Sequence, residues 1–399
     1  LFNALGGSTH HFGTVSFGTW PYDELFMEGS VYASSDRMTL RDAKLIVLVG
    51  CNWAENKAGN VPYFVKQAKD QGAKVIIVDQ WLNRTAEGLA DQWIPVHPGT
   101  DSALFLGIAY HMITNNLQDQ AFLDTYCSGF DADHMPEGAP KEDNFKDYVL
   151  GTYDGEPKTP EWAASKCGTH PDMIRDLAVQ MGSVKPATYI AGQSTTKHPG
   201  GDTWGQIFYT VCWMTGNVGL PGASVSCIGP DAGFVEVLVG AGNYGDQFIP
   251  NPLTPKTIYV APDLSDTSDW SYVEYSEMWQ SILDGEYGRD VWPGGKRKVN
   301  IQMIYHGHAH FANSVPNANA GIQVHRQVEF VMSSCVHFNT NARYADLVFP
   351  ISTLWERQGQ VFADNREHAF WWQNVMEPLF ESKPDMEVVR GIAQRLGLD

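Results

Sequence analysis

The chain has 399 residues and a formal net charge of -19, and 43% of its residues are hydrophobic. This length is too great for one compact core and predicts two domains, while the hydrophobic content and 38 glycines indicate a folded α/β protein. The acidic excess argues against a nucleic-acid partner or an anionic membrane surface, because both require clustered Lys and Arg. No apolar run approaches the roughly 18 residues of a membrane-spanning helix, so we expect no direct membrane span.

The first part of the chain is predicted to be a loop followed by alternating strands and helices. Residues 1–35 are rich in Gly, Ser, Thr, His and aromatic residues and show no sustained period. Strands are predicted over 45–50 and 73–79, with a helix over 61–72 between them and a further helix over 102–116. This alternation predicts parallel strands joined by right-handed crossovers.

The rest of the chain is predicted to continue the same alternation, with two interruptions. We expect a surface excursion rich in Pro, Gly and charged residues over 131–167, and a crossover between two domains over 223–264. The remaining predicted strands cover 185–192, 298–307, 328–334 and 345–352, and the remaining predicted helices cover 170–183, 203–217 and 385–397. The six cysteines include no Cys-x-x-Cys pair, which favours buried thiols over disulfides or a thiolate metal site.

Small and polar residues follow the predicted strands of the first α/β unit, where ligands of parallel sheets bind. Gly50 lets the backbone approach a pyrophosphate, Asp79 can accept hydrogen bonds from a ribose or a guanine edge, and Arg84 can contact a phosphate. An ordinary turn between strand and helix uses the same residue types. The candidate ligand-binding residues here are Gly50, Asn52, Glu55, Asn56, Asp79, Arg84, Thr85, Gly99 and Asp101.

Asp101 has two interpretations. It precedes the predicted helix over 102–116, where an aspartate commonly caps the helix through its side chain. Its carboxylate can instead accept hydrogen bonds from N1–H and N2–H of guanine, a pair of donors that adenine lacks. We favour the guanine interpretation and keep the capping one open.

Further candidates follow the later predicted strands. The loop over 191–201 holds polar residues that face a ligand if the sheet is parallel. His306, His308 and His310 alternate, so on a strand they would share one face, which either a divalent metal or a cofactor could use. We favour contact with a cofactor or substrate. The candidates of these segments are Gln193, Ser194, His198, His306, Gly307, His310, Ser334, Asn339, Thr340 and Asn365.

Five blocks of sequence together resemble one enzyme family. They are "GCNWAEN" from Gly50, "VDQWLNRTA" from Val78, "HPGTD" from His97, "TGNVGLPG" from Thr215 and "ARYADLVFP" from Ala342. In this order they resemble the molybdopterin oxidoreductases, and within them the catalytic subunits of the dimethyl sulfoxide reductase family. The chain departs from the family at Trp81, where relatives have a cation, and at Cys335, where they often have an acid.

The resemblance implies an α/β fold of two αβα, Rossmann-like domains with mainly parallel sheets, one inserted in the other. Residues 17–226 would form the inserted domain and bind one pterin guanine dinucleotide. Residues 1–16 and 227–399 would form the second domain and bind the other. An iron–sulfur domain that precedes these domains in the family, and a cap domain that follows them, are expected to be absent from this chain.

The resemblance also implies a metal ligand near the start of the chain. The stretch "GGSTHHFGTVSFGT" from Gly6 is similar to a family segment whose serine oxygen binds molybdenum, and it aligns Ser16 with that serine. An alkoxide suits an oxidised, hard metal ion, although an ordinary loop serine is the alternative. His10, His11 and His198 are then candidates for protonating the oxygen that leaves the substrate.

The function implied is reduction of an S-oxide or N-oxide, such as dimethyl sulfoxide, by oxygen-atom transfer at a molybdenum bis(molybdopterin guanine dinucleotide) centre. The resemblance further implies a 4Fe-4S cluster in the missing amino-terminal segment, an iron–sulfur electron-transfer subunit, a membrane-anchor subunit and a location on the extracytoplasmic face of the cytoplasmic membrane. Two alternatives stay open. One is a non-redox, dehydroxylating or transhydroxylating member of the family, and the other is a nucleotide-binding module without redox activity.

Overall fold

A computed structural model of the chain describes residues 1–2, 5, 9–12, 19–29, 35, 37–56, 61–226, 272–288, 295–307, 311–362 and 369–398, a few of them by their backbone alone. The strands are β1 His10–Phe12, β2 Leu45–Val49, β3 Lys74–Asp79, β4 Gln92–Pro95, β5 Ala187–Ala191, β6 Ser224–Ser226, β7 Tyr272–Glu274, β8 Glu286–Tyr287, β9 Arg297–Lys298, β10 Met303–His306, β11 Phe330–Cys335, β12 Leu347–Pro350, β13 Gly359–Phe362 and β14 Ala369–Trp372.

Helices connect most of these strands. They are α1 Trp20–Glu28, α2 Trp53–Asn56, α3 Val61–Asp70, α4 Arg84–Leu89, α5 Asp101–Thr114, α6 Gln120–Tyr126, α7 Phe145–Leu150, α8 Pro160–Cys167, α9 Pro171–Ser183, α10 Gly201–Trp213, α11 Met278–Asp284, α12 Phe311–Ser314, α13 Ala318–Gln327, α14 Thr340–Arg343 and α15 Asp385–Arg395. In the part of the chain that the structure describes, no helix is both long and apolar enough to cross a membrane.

The chain divides into two compact units. The larger consists almost entirely of the single segment Ser16–Val235, and we therefore call it the continuous unit; Asp364–Arg366 also belong to it. The other, which we call the split unit, comprises Leu1–Val15, Glu236–Ala363 and Glu367–Asp399. The continuous unit therefore interrupts the split unit in sequence.

The continuous unit is built on a parallel sheet with the strand order β4-β3-β2-β5-β6. Its strands are runs of β-branched and other apolar residues, and β2 is buried along its whole length. Leu45, Val47 and Val49 of β2 pack into one hydrophobic core, whereas Ile46 and Leu48 pack into another. Because both faces of the strand are covered, the unit has three layers, with helices on each side of the sheet.

The larger of these two cores is rich in aromatic side chains. Trp20 of α1 makes edge-to-face contacts with Trp204 and Phe208 of α10, and Phe105 of α5 makes such a contact with Trp204. Such rings bury large apolar areas, so they fix α1 and α5 against α10. The smaller core lies under α3 and includes Phe64 and Val65.

Two local predictions were wrong for the same reason. Residues 1–35 were expected to be a loop, but they include α1, whose Trp20 is fully buried. Residues 131–167 were expected to be a surface excursion, but α8 at their end buries Ala163 and Cys167 in the larger core. In both places a few apolar side chains pack against helices that are distant in sequence, and this is not visible in local composition.

The split unit contains a separate parallel sheet of three strands in the order β10-β11-β12. A small core of Trp279, Phe311, Val315, Ala320 and Val324 joins α11, α12 and α13, and Ile304 of β10 packs against it. The pairs β1–β7, β8–β9 and β13–β14 complete the described strands.

The predicted fold class is confirmed: the chain is an α/β protein whose two larger sheets are parallel. The predicted strands and helices over 45–50, 61–72, 73–79 and 102–116 are all present, with ends that differ by a few residues. Cys51, Cys167 and Cys212 are free and buried, as expected, whereas Cys127 and Cys335 are free but only partly buried. Cys227 lies outside the described residues. The predicted crossover over 223–264 lies mostly outside the described residues.

Candidate functional site

The continuous unit has a change of winding direction between β2 and β5. From β2 the chain moves outward to β3 and β4, and it then returns to β5 on the other side of β2. The loops that follow β2 and β5 therefore leave the same edge of the sheet in opposite directions. Crevices at such positions are where open parallel sheets bind their ligands.

Close backbone packing shapes the two loops at this position. Gly50 directly follows β2 with a φ of +61°, and a Cβ placed there would lie 2.5 Å from Cγ2 of Thr195. A Cβ on Gly192, which follows β5, would overlap the carbonyl oxygen of Gly50. The two loops therefore touch through backbone atoms, and only glycine fits at either position.

Two tryptophans hold the loop after β5 in place. Trp20 donates from Nε1 to the carbonyl oxygen of Gly192 at 3.1 Å, and Trp204 donates from Nε1 to Oγ1 of Thr195 at 2.8 Å. Ser194 is exposed between these anchored residues, and Gln193 is half-buried. The predicted ligand-contacting residues of this loop thus stand on a segment that the core fixes.

The loop after β2 is joined to α4. Thr85 is fully buried, and its hydroxyl accepts from the backbone N–H of Ala54 at 2.9 Å and donates to Oδ1 of Asn52 at 3.0 Å. The amide of Asn52 also donates to Glu55 at 2.5 Å. Asn52 and Thr85 therefore hold the loop after β2 against α4. Because their side chains are used in these contacts, we expect backbone N–H groups of this region to donate to a phosphate.

Arg84 is the cation of this edge that the sequence singled out. Its side chain is 71% exposed and lies 3.9 Å from Glu55 and 3.5 Å from Glu87. Exposed ion pairs of this length contribute little to stability, so exchanging them for a phosphate costs little.

Asp79 closes the turn after β3. Its Oδ2 accepts from Nδ2 of Asn83 at 2.8 Å, and the backbone N–H groups of Gln80 and Trp81 also donate to the carboxylate. Burial nevertheless raises the pKa of Asp79 above its ordinary value. Much of the acceptor capacity that the sequence assigned to a ribose or a guanine is therefore used within the turn.

Asp101 is the first residue of α5, and Thr100 is the N-cap residue. The side chain of Thr100 makes no capping hydrogen bond, and the Asp101 carboxylate contacts its own backbone N–H. Asp101 is 7% exposed, and among the described residues its carboxylate has no side-chain hydrogen-bond donor. Burial raises the pKa of Asp101 to about 6, while nearby His198 lowers it and Asp79 raises it further. A buried carboxylate with free acceptor positions suits a ligand that brings its own N–H donors.

His198 and Gly99 meet at the same edge. A Cβ on Gly99, whose φ is +73°, would lie 3.8 Å from the His198 ring. Nδ1 of His198 is 2.9 Å from the carbonyl oxygen of Pro199. The structure thus brings together Asp79 at the end of β3, Asp101 at the start of α5 and His198 in the loop after β5.

The candidates of the split unit are arranged differently. Nε2 of His306 is 2.6 Å from Nε2 of His325, whose Nδ1 is 2.6 Å from the carbonyl oxygen of Gly321. Burial and the neighbouring His325 lower the pKa of His306 to about 4. Burial also lowers the pKa of His325. The His306 side chain therefore packs in the helix layer behind the sheet. Ser334 is also buried, and its hydroxyl is 2.9 Å from that of Tyr305.

The remaining candidates have few described contacts. Asn339 caps α14, because its Oδ1 accepts from the backbone N–H of Ala342 at 3.1 Å. Thr340 is the first residue of α14, and Gly307 is exposed after β10. Outside the described residues lie Ser16, His310 and Asn365, and the same holds for the side chains of His11 and Asn56.

Two residues of the site were missed from the sequence. Asn83 caps α4 through a hydrogen bond from Ala86 N–H to its Oδ1 and also holds Asp79. Its position directly before a short helix is a recognisable capping signal. Thr195 anchors the loop after β5, and no local signal marks it, because its partner Trp204 lies in the following helix.

The model of the molybdopterin oxidoreductase family matches residues 1–395. The chain belongs to the molybdopterin oxidoreductase family. This confirms the predicted resemblance.

Similar members of the molybdopterin oxidoreductase family include two dimethyl sulfoxide reductases. DmsA of Escherichia coli (strain K12) is 32% identical over 100% of this chain and 48% of its own length. DmsA of Haemophilus influenzae is 31% identical over 99% of this chain and 48% of its own length. A trimethylamine-N-oxide reductase of Salmonella typhimurium is 28% identical over 90% of the chain and 42% of its own length. The chain thus spans about half the length of these relatives.

A solved structure supports the fold within the molybdopterin oxidoreductase family. Acetylene hydratase from Pelobacter acetylenicus superposes with a TM-score of 0.67 over 99% of this chain and 52% of its own, with 17% sequence identity. At this identity the similarity concerns the fold alone.

Proposed function

We propose that the continuous unit binds the guanine nucleotide of a molybdopterin cofactor at the carboxyl edge of its sheet. The observation that carries this proposal is the buried Asp101 carboxylate, which faces no side-chain donor among the described residues. Guanine offers two adjacent N–H groups that a carboxylate accepts as a pair. Adenine lacks this pair, so the site would select the base.

The residues of the edge fit a nucleotide in other respects. Gly50 and Gly192 bring backbone atoms of two loops together where a Cβ would not fit, and such surfaces can approach a pyrophosphate closely. Arg84 is exposed with only weak ion pairs and can reach a phosphate. Trp81 is 62% exposed and presents a ring on which a flat group can stack. By resemblance, Gly307, Ser334, Asn339 and Thr340 of the split unit would serve a second nucleotide.

The activity that we propose for the whole protein is reduction of an S-oxide or N-oxide. The support comes from the relatives, which are named as dimethyl sulfoxide and trimethylamine-N-oxide reductases. A molybdenum bis(molybdopterin guanine dinucleotide) centre supplies oxygen-atom transfer coupled to a pair of electrons. Releasing the oxygen as water also consumes a pair of protons, which the protein must deliver.

The roles of individual residues follow from their chemistry. Ser16 would be the protein ligand of the metal, because its alkoxide suits a hard metal ion. His198 is half-buried beside Asp101. Because Asp101 is proposed to bind guanine, which is the end of the dinucleotide farthest from the metal, His198 would contact the nucleotide there. His11 is the candidate proton donor, by resemblance. In the intact protein we propose a 4Fe-4S cluster, an iron–sulfur subunit, a membrane anchor and an extracytoplasmic location.

The activity is tested on the full-length protein by an electron balance. A reduced viologen dye would supply electrons, and its oxidation would be followed with dimethyl sulfoxide or trimethylamine N-oxide as the acceptor. We expect one substrate reduced for each pair of electrons consumed. Conversion of a substrate without dye oxidation would instead identify a hydratase or transhydroxylase. A lack of any turnover by cofactor-loaded protein would favour a nucleotide-binding module.

A further inference from the structure

A cluster of metal-ligand side chains lies on the continuous unit, outside the loops that form the nucleotide edge. Asp124 belongs to α6, while Asp131 and His134 belong to the turn that follows it. One ligand atom from each of the three lies within 4.8 Å of the other two. Nδ1 of His134 is 2.8 Å from Oδ1 of Asp131 and 3.6 Å from Oδ1 of Asp124.

We propose that Asp124, Asp131 and His134 form a binding site for a divalent transition-metal ion of the zinc class. The donor set carries this choice, because an imidazole nitrogen with carboxylate oxygens is typical of zinc. Calcium and magnesium prefer oxygen ligands alone and gain nothing from His134. The site is independent of the molybdopterin cofactor and of the proposed activity.

Gln120 stands beside these three residues and offers a possible fourth ligand. Nε2 of Gln120 donates to Oδ1 of Asp124 at 2.7 Å and to Oδ2 of Asp131 at 3.1 Å, so its amide faces the cluster. Rotating that amide by half a turn replaces the nitrogen with Oε1, which is a metal ligand. Gln120 and Asp124 are four residues apart on α6 and therefore share one face of the helix.

Charge and access favour a cation at this position. Two carboxylates share the single imidazole of His134, and Asp133 adds a third carboxylate to its electrostatic surroundings. The side chains of Asp124, Asp131 and His134 are 43%, 17% and 34% exposed, so an ion can reach them from solvent. A dication would balance more of this negative charge than a single protonated imidazole does.

A metal ion bound by these residues would link α6 to the turn that follows it. Asp124 is on the helix, and the turn is closed by hydrogen bonds from Gly129 N–H to the His134 carbonyl oxygen at 2.7 Å and from His134 N–H to the Asp131 carbonyl oxygen at 3.2 Å. The ligands on the turn are therefore already positioned. A metal ion that binds only the folded state raises the free energy of unfolding.

The test is equilibrium dialysis of the full-length protein against a zinc buffer, followed by elemental analysis. We expect His134→Gln to bind one zinc ion fewer per chain than the wild type. Losing this ligand should weaken zinc binding by more than about 100-fold, since even loss of a residue that supports a ligand costs about 10–100-fold. Asp131→Asn should act in the same direction while retaining much of the shape of the side chain.

His170→Gln is the matched control. His170 is exposed and 3.7 Å from Asp172, but it contacts one carboxylate rather than two. Its loss should leave the zinc content unchanged. Equal zinc binding by wild type and His134→Gln would overturn the proposal. So would equally tight binding of calcium that survives His134→Gln, because the cluster would then be acidic surface without a role for the imidazole.

Discussion

Asp101 shows how a single carboxyl group can be suited to binding and unfavourable for folding. It is almost fully buried at the start of α5, and its pKa rises from 3.8 to about 6 because burial penalises the charged form. A protein that needed only a helix cap would not require a carboxylate in this place. The cost is offset if a ligand donates hydrogen bonds to it.

The first prediction concerns the stability of the cofactor-free protein. The folded state binds the Asp101 proton more tightly than the unfolded chain does. The protonated carboxyl group therefore contributes to the free energy of unfolding in full below about pH 4, and this contribution is lost as the pH rises through about 6. Asp101→Asn cannot ionise. Between about pH 4 and pH 7 the wild type should therefore lose up to about 3 kcal/mol of unfolding free energy that Asp101→Asn keeps.

Urea unfolding at several pH values measures this difference. Asp70→Asn is the control, because Asp70 is exposed on α3 and pairs with Lys66 at the surface. The same pH dependence in wild type and Asp101→Asn would contradict a buried, destabilising carboxylate. Guanine nucleotides should protect the wild type more than Asp101→Asn.

At the scale of elements, the strands could be predicted and several helices could not. Strands such as β2 and β3 are continuous apolar runs, because helices cover both faces of the sheet. The amphipathic α3 and α9 also carry a local signal. By contrast, α1 is helical because Trp20 packs on α10, almost two hundred residues away, and no local pattern reports this contact.

The loops after β2 and β5 give the second prediction. Gly192→Ala places a methyl group against the carbonyl oxygen of Gly50, so the two loops must separate. We expect a loss of about 1–3 kcal/mol in the free energy of unfolding. Gly88→Ala is the control, since Gly88 lies within α4 with no atom near its missing side chain, and alanine there should stabilise by about 0.5–1 kcal/mol. An unchanged stability of Gly192→Ala would show that the loops do not touch.

Helix α1 gives the third prediction. Burial raises the pKa of Asp23 from 3.8 to about 7 and that of Glu28 from 4.5 to about 8. In the folded state these carboxyl groups keep their protons up to about pH 7 and 8, whereas their ordinary pKa values are 3.8 and 4.5. The stability that the protonated groups contribute is therefore lost as the pH rises through about 7 and 8. The thermal midpoint of the wild type should therefore fall between about pH 5 and pH 8. In the double variant Asp23→Asn with Glu28→Gln, this fall should be smaller, and an equally steep fall would exclude the assigned titration.

At the scale of the whole molecule, the order of the sequence blocks predicted more than any single block did. Gly50 and Asp79 lie at the ends of β2 and β3, and Asp101 begins the helix after β4. These positions are far apart in the chain, and the parallel sheet brings them to one edge. The sheet topology thus predicts which residues lie at the same edge of the sheet. What the sequence could not predict is how the side chains share hydrogen bonds, as when Asn83 engages Asp79, or that His306 packs against His325.

We propose that this fold holds a molybdopterin guanine dinucleotide centre. The most direct measurement is elemental analysis of the full-length protein, combined with identification of the pterin and nucleotide released on denaturation. We expect about one molybdenum atom and about two pterins per protein, released with guanine rather than adenine nucleotides. Protein made in a cell that synthesises the cofactor, yet free of both metal and pterin, would show that the family's fold persists here without its chemistry.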